Sequence, residues 1–170
     1  RDRSYIMISI LHWKKGIFDR TTSIISAEGK IGYLVEKHWS QSAEGEINSR
    51  RYAYRMRGFL NQYTEITDPT TNYVVGKIEY NTWRTKATIT YMDQSFQWQY
   101  DNTWQTRWSI ADNLGRKVIF QGNINKGSLE GTDLSEFQIL TGLYVTNYFV
   151  QTTLAIFIAI FIPIIATQAR

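Results

Sequence analysis

Apolar and polar residues alternate in short runs through roughly the first 120 positions, and most runs end near a Gly, Asp, Asn or Pro. Runs rich in Tyr, Trp, Ile, Val and Thr that recur about every ten residues predict an all-β architecture. The candidate strands are 5–11, 22–26, 30–35, 51–57, 63–67, 73–80, 86–91, 95–100, 103–110 and 117–123. The clearest turns are Ala27, Glu28 and Gly29, then 68–72 with Asp68, Pro69 and Asn72, then 112–115 with Asp112, Asn113 and Gly115. Each carries residues suited to turn geometry. Met92, Asp93 and Gln94 form a weaker fourth. The polar segments 40–49 and 123–135 read as long surface loops, the second leading out of the sheet.

Beyond them the pattern changes. Glu136 is the last charged residue before Arg170, and 154–166 (LAIFIAIFIPIIA) is apolar at every position. A helix apolar on all sides must be enclosed by protein or lie in lipid. The unbroken stretch spans only about 20 Å at 1.5 Å per residue, while a bilayer core asks for about 20 residues. Extension back to Tyr144 admits Thr146, Asn147, Gln151, Thr152 and Thr153, which need partners in a membrane. Pro163 lies near the far end, where it distorts a last turn rather than the middle. No basic cluster flanks the segment to orient it, and its position is wrong for a signal peptide. The favoured expectation is a buried central helix over 154–166, in which Ile158→Asp would unfold the domain. The alternative is a tail anchor over 144–166.

A sheet of ten to twelve strands hides its edges completely by closing, and a wide barrel leaves room for more than side chains. A wide barrel and an all-apolar helix thus answer each other. The expected fold is mainly β: a closed barrel of about twelve strands around a hydrophobic C-terminal helix. A single domain over 1–170 is expected, with 137–169 carrying the last strand or strands and the helix. The chain opens on Arg1 rather than Met, so a preceding segment is expected.

The hairpin 63–80 (YTEITDPTTNYVVGKIEY) resembles the repeating hairpins of the tubby C-terminal-like superfamily, which includes LURP-one-related proteins and phospholipid scramblases. Residues 108–118 (WSIADNLGRKV) repeat the form, and 18–31 follow it more loosely. The resemblance implies a barrel of about twelve strands around a central C-terminal helix, and it bears on the fold more than on any single family activity. The scramblases' Cys-rich and Pro-rich segments have no counterpart in a chain with no Cys and only Pro69 and Pro163. The phosphoinositide site of tubby proteins has no residue-by-residue match, so no site residue is carried over.

Candidate chemistry is sparse. Absence of Cys removes thiolate metal sites, disulfides and thiol nucleophiles. His12 and His38 each sit beside a Trp and lack partners at metal-ligand spacing. No phosphate-cradling glycine loop occurs, and no Asn-x-Ser/Thr acceptor. Asp93 with Asp101, or Glu130 with Asp133, could pair formally, though turn roles suit them better. No catalytic residue, metal ligand or cofactor is assigned.

One constellation points to anions. In 50–57 (RRYAYRMR) strand periodicity puts Arg51, Arg55 and Arg57 on one face and Tyr52, Tyr54 and Met56 on the other. A guanidinium row suits phosphate, although Glu44, Glu46 and Glu65 are near enough in sequence to pair with it. A second basic-aromatic stretch runs from Trp83, Arg84 and Lys86 to Trp98, Trp104 and Trp108; it could meet a membrane interface, stack on bases or fill a barrel wall. A net charge of +4 and pI of about 9.3 give mild attraction to anionic surfaces and argue against a dedicated nucleic-acid binder. The functional expectation is a non-enzymatic binding module for phospholipid or another anionic surface, contacting it through Arg51, Arg55 and Arg57, in the cytoplasm or peripheral to a membrane. The alternatives are a membrane-anchored β domain and a small enzyme using the barrel rim. Oligomeric state is not legible.

Overall fold

The structure, a computed structural model, describes residues 9–37 and 41–169. Twelve strands form one closed antiparallel barrel, and a single 33-residue helix follows them. The strands are β1 (Ser9–Lys15), β2 (Thr21–Ser26), β3 (Gly29–Glu36), β4 (Ala43–Ile47), β5 (Arg50–Arg57) and β6 (Tyr63–Thr67). They continue with β7 (Val74–Tyr80), β8 (Lys86–Tyr91), β9 (Gln94–Tyr100), β10 (Arg107–Asp112), β11 (Lys117–Gly122) and β12 (Lys126–Gly131), and the helix is α1 (Glu136–Gln168). Each strand pairs with its neighbour in sequence, and β1 closes on β12 from Ser9 opposite Gly131 to Lys14 opposite Lys126. Closure leaves no unpaired edge.

Most expected strands fall where the alternation puts them, and all four expected turns are hairpin turns. Two strands were expected as loops. β4 (AEGEI) lies within 40–49 and β12 (KGSLEG) within 123–135. Both are poor in β-branched and aromatic residues because their inner face needs little bulk. A Cβ on Gly45 would stand 2.8 Å from Leu140 of α1, and one on Gly127 would stand 2.2 Å from the Trp13 ring. Small residues make room for large ones opposite them. The first strand runs on to Lys15 rather than ending at Leu11, and β10 begins at Arg107 rather than Thr103. The 5–8 part of the first candidate strand, together with His38, Trp39 and Ser40, lies outside the described residues.

Because consecutive strands run in opposite directions, the hairpin connections sort onto two mouths. The turns 27–28, 48–49, 68–73, 92–93 and 113–116 lie at the mouth where α1 begins, the proximal mouth. The loops 16–20, 58–62, 81–85, 101–106 and 123–125 lie at the opposite, distal mouth.

Ser135 caps α1, its hydroxyl accepting from the Gln138 amide at 3.5 Å. The helix then runs through the lumen. Residues 137–149 are buried on every side, and Leu140, Thr141 and Val145 are fully enclosed. Tyr54, Trp98, Trp108, Phe120 and the isoleucines of β2, β6, β7 and β8 fill the space around them. This corrects the expectation for the helix. The barrel encloses 137–149 and Thr152, whereas 154–166 stands outside it, with Leu154 56 % and Ile165 64 % exposed. The stretch 137–169 contains no strand, since Glu136–Gln168 is helical throughout.

Most polar residues of the enclosed half have partners in the barrel wall, and the Thr146 hydroxyl donates back to the Gly142 carbonyl of its own helix at 2.9 Å. The Tyr54 hydroxyl lies 3.0 Å from Thr141 Oγ1, and Thr64 Oγ1 lies 3.0 Å from the Tyr144 hydroxyl, which donates to the Gln41 carbonyl at 2.8 Å. Tyr148 donates to Gln62 Oε1 at 2.6 Å, and Gln151 to Glu36 Oε1 at 2.9 Å. Asn147 Nδ2 is an exception, buried without a partner. Groups that would be costly in hydrocarbon are thus satisfied inside protein.

Candidate membrane-docking face

At the distal mouth α1 leaves the barrel and every residue from Thr153 to Ala169 is exposed. Residues 153–168 extend about 24 Å at 1.5 Å per residue. The most apolar 18-residue window of α1 has a mean hydropathy of 2.3 and only 6 % of it is buried, so the barrel is not what covers it. A core helix of this composition would be mostly enclosed.

Four loops of the same mouth carry apolar tips. Ile17 and Phe18 stand on 16–20, Phe59 and Leu60 on 58–62, Trp83 on 81–85 and Trp104 on 101–106. Phe18 is 97 % exposed, Phe59 91 %, Trp83 84 % and Trp104 86 %. Bulky apolar side chains are normally kept out of hairpin tips, which favour polar and small residues. The proximal mouth has fewer, with Tyr73, Val74, Met92 and Leu114.

The two tryptophan loops share one construction, residues 81–86 (NTWRTK) and 102–107 (NTWQTR). In the first, Asn81 Oδ1 accepts from the amides of Thr85 and Lys86 at 2.9 and 3.0 Å, and Nδ2 donates to Thr85 Oγ1 at 2.8 Å. In the second, Asn102 makes the same three bonds to Thr106 and Arg107, at 3.0, 3.2 and 2.8 Å. Arg84 and Gln105, next to the tryptophans, both take positive φ, 55° and 57°. The asparagine holds that left-handed kink closed, and the indole is pushed outward on a braced tip.

Charge follows the same axis. The distal loops and strand ends carry Lys14, Lys15, Arg20, Lys37, Arg57, Arg84, Lys86, Arg107 and Lys126, against Asp19, Glu36, Glu44, Glu79 and Asp101. The proximal turns and strand ends carry Glu28, Glu46, Asp68, Asp93, Asp112, Glu130 and Asp133, partly offset by Lys30, Arg50, Arg51, Arg116 and Lys117.

The arginine row lies mostly on the outer wall, with Arg57 at the distal end of β5. Arg51, Arg55 and Arg57 are exposed on the outer wall of β5, while Tyr52 and Tyr54 are buried and Met56 packs on the core, as strand periodicity requires. Arg51 is ion-paired with Glu44 at 2.7 Å and Glu46 at 3.4 Å, and Arg57 with Glu65 at 3.1 Å. Arg55 has no ion pair among the described residues and faces Glu65 in the β5–β6 register. The row runs for about 20 Å along the strand at roughly 3.3 Å per residue, from the proximal edge towards the distal one.

Of the second basic-aromatic stretch, Trp98 and Trp108 are core residues and only Trp83 and Trp104 reach outside. Asp93 and Asp101 lie at opposite ends of β9, so that pair does not form. Asp133 meets Arg116 at 3.5 Å instead of Glu130. His12 sits on β1 opposite Ser128. Among the described residues no three His, Asp or Glu side chains converge to hold a metal ion. Sequence reading missed Ile17, Phe18, Phe59 and Leu60, and the signal for them is local. Each pair sits between Gly and an Asp or Asn, Gly16 with Asp19 and Gly58 with Asn61, where turn chemistry leads one to expect polar tips. No protein-family model, curated protein or solved structure matches this chain.

Proposed function

We propose that this protein is a non-enzymatic membrane-docking barrel that binds a phospholipid surface through its distal mouth, with 153–168 of α1 inserted in the bilayer. One coincidence carries the reading: the naked apolar half of α1 leaves the barrel through the same mouth that bears the four exposed apolar loop tips. Tryptophan favours the headgroup level, so Trp83 and Trp104 lie in the interface, with the apolar Phe18 and Phe59 beside them, while the helix goes deeper. At about 24 Å, the inserted half passes the middle of a hydrocarbon core about 30 Å thick. Its Leu, Ile and Phe side chains, at about −0.3 to −0.6 kcal/mol each, favour insertion by several kcal/mol in total. The basic distal rim adds attraction to an anionic leaflet. The arginine row adds little in this geometry, because it runs along the barrel wall and Arg51 and Arg57 already face carboxylates. The hairpin likeness to the lipid-associated tubby superfamily supports the same direction.

Flotation with vesicles containing phosphatidylserine tests the reading. The protein should float with vesicles, and brominated lipids should quench Trp83 and Trp104 while the buried Trp13, Trp98 and Trp108 stay bright. Trp83→Phe with Trp104→Phe should remove most of the quenching. A protein that purifies as a soluble monomer without detergent and stays at the bottom of the gradient would sink the proposal.

A further inference from the structure

A groove of about 890 Å³ opens where α1 leaves the barrel, between the helix and the 58–62 and 81–85 loops. That volume is within the range of small-molecule sites, about 300–1,000 Å³. We infer that this groove binds one glycerophospholipid of the docked leaflet, its phosphodiester held by Arg84. The inference rests on the docking proposal, which places the groove at the headgroup level.

The groove has two characters in the order a lipid needs. Towards the barrel it is polar, lined by Gln62, Asn81, Thr82, Arg84 and Tyr148. Towards the tip of the helix it is apolar, lined by Ala155, Ile156 and Ala159 on one side and Phe59 and Leu60 on the other. Ala155 and Ala159 are one turn apart and share a face, so the helix recedes there by the bulk of two side chains. An acyl chain can lie along that face into the bilayer without leaving lipid-like surroundings.

The charges select a phosphodiester. Lys77 also lines the groove, but it pairs with Glu79 at 2.9 Å and lies 4.8 Å from the centre of the Tyr63 ring. Those two charges cancel. The Arg84 guanidinium has no hydrogen bond or ion pair among the described residues, and it is the uncompensated charge of the lining. One guanidinium fork matches the two free oxygens of a singly charged phosphodiester. Its position is set by the loop, since Asn81 holds the Arg84 kink through three bonds. Gln62 adds a donor: its Oε1 accepts from Tyr148 at 2.6 Å, which turns the amide and leaves its NH₂ group free to reach a lipid oxygen.

Native mass spectrometry of the detergent-purified protein, incubated with dioleoylphosphatidylglycerol, tests this. The protein should retain one phosphatidylglycerol per chain and should not retain dioleoylglycerol, which lacks the phosphate. Arg84→Ala should weaken retention about tenfold, the effect of losing one charge-assisted contact. Lys117→Ala, at the proximal mouth and away from the groove, should leave retention unchanged. Ala159→Trp, which fills the apolar half, should also reduce retention, and all three variants should still float with vesicles. Equal retention by Arg84→Ala and the parent overturns the inference, as does equal retention of dioleoylglycerol. Flotation without retention removes the groove site and leaves docking intact, whereas retention without flotation removes docking and leaves the site.

Discussion

The two halves of α1 have similar length and opposite surroundings. Residues 137–152 carry Thr, Tyr, Asn and Gln among their apolar residues, and the barrel supplies partners for nearly all of them. Residues 153–168 carry almost nothing that can form a side-chain hydrogen bond, and the barrel leaves them bare. An all-apolar helix face has only two possible neighbours, protein and lipid, and this chain uses both in succession. Polarity decides the order. Scattered hydroxyl and amide groups are cheap where a wall can be built around them and expensive in hydrocarbon, so they stay within the half that the barrel encloses. What looks like a flaw in a membrane anchor over 144–166 is the interior half of a helix whose exterior half has no such flaw.

The sharpest way to break this comparison is to put the same charge in each half. Leu140→Asp buries an unpaired carboxylate against Gly45 and should unfold the barrel, at a cost of about 3–5 kcal/mol or more. Ile158→Asp, on the exposed half, should leave circular dichroism and the thermal midpoint of the detergent-solubilised protein unchanged and should sharply reduce flotation. If Ile158→Asp unfolds the barrel, the division of the helix is wrong.

Packing around the enclosed half gives the next effect. Gly127→Val places a branched side chain where the Trp13 ring lies, 2.2 Å from the position of the new Cβ. Chemical denaturation should show a loss of about 1–3 kcal/mol, the usual cost of overpacking. Gly115→Ala, at a proximal turn with open space around its Cβ position but with φ of +81°, should cost about 1 kcal/mol through backbone strain alone.

Alkaline pH should separate the halves without mutation. Burial holds the phenols of Tyr54 and Tyr80 well above their usual range and pushes Tyr100 up to about 12. A phenol whose folded pKa is raised stabilises the fold fully below the unfolded value near 10, and that stability is lost as pH rises towards the folded value. Denaturant midpoints should therefore be flat up to about pH 9.5 and fall above pH 10. The exposed half has no titratable group in 153–168, so flotation should persist until the barrel itself opens. A midpoint that rises above pH 10 would contradict the assignment of these phenols to the core.

The smallest effect is expected from Arg51, Arg55 and Arg57 replaced together by Ser. Exposed pairs contribute about 0–1 kcal/mol each, and two of the three guanidiniums already face Glu44, Glu46 and Glu65. Stability should move by less than about 1 kcal/mol, and vesicle flotation at moderate salt should change less than threefold, or about 0.7 kcal/mol. A loss of binding as large as that of Ile158→Asp would return the arginine row to the centre of lipid recognition.

Much of this molecule was legible before any coordinates. Strict alternation in 86–91 located β8 to the residue, because a strand with one face buried must repeat every second position, and the Tyr-, Ile- and Thr-rich run 63–67 before Asp68 located β6. The turns at 68–72 and 112–115 were legible because Asp68 and Asp112 carry side chains that accept from the following amides. The closed barrel followed from strand number and from an apolar helix that needed enclosing. Three features were decided by the tertiary structure alone. β4 and β12 became strands because the barrel needed two more staves and narrow inner faces beside Leu140 and Trp13, a demand no local propensity carries. The span of α1 that is enclosed was set by the height of the wall, about one strand length, which counts forward from Glu136 and runs out near Thr152. And the loop tips at Phe18, Phe59, Trp83 and Trp104 became one surface only because antiparallel closure sends alternate hairpins to the same mouth, where the uncovered half of the helix also emerges.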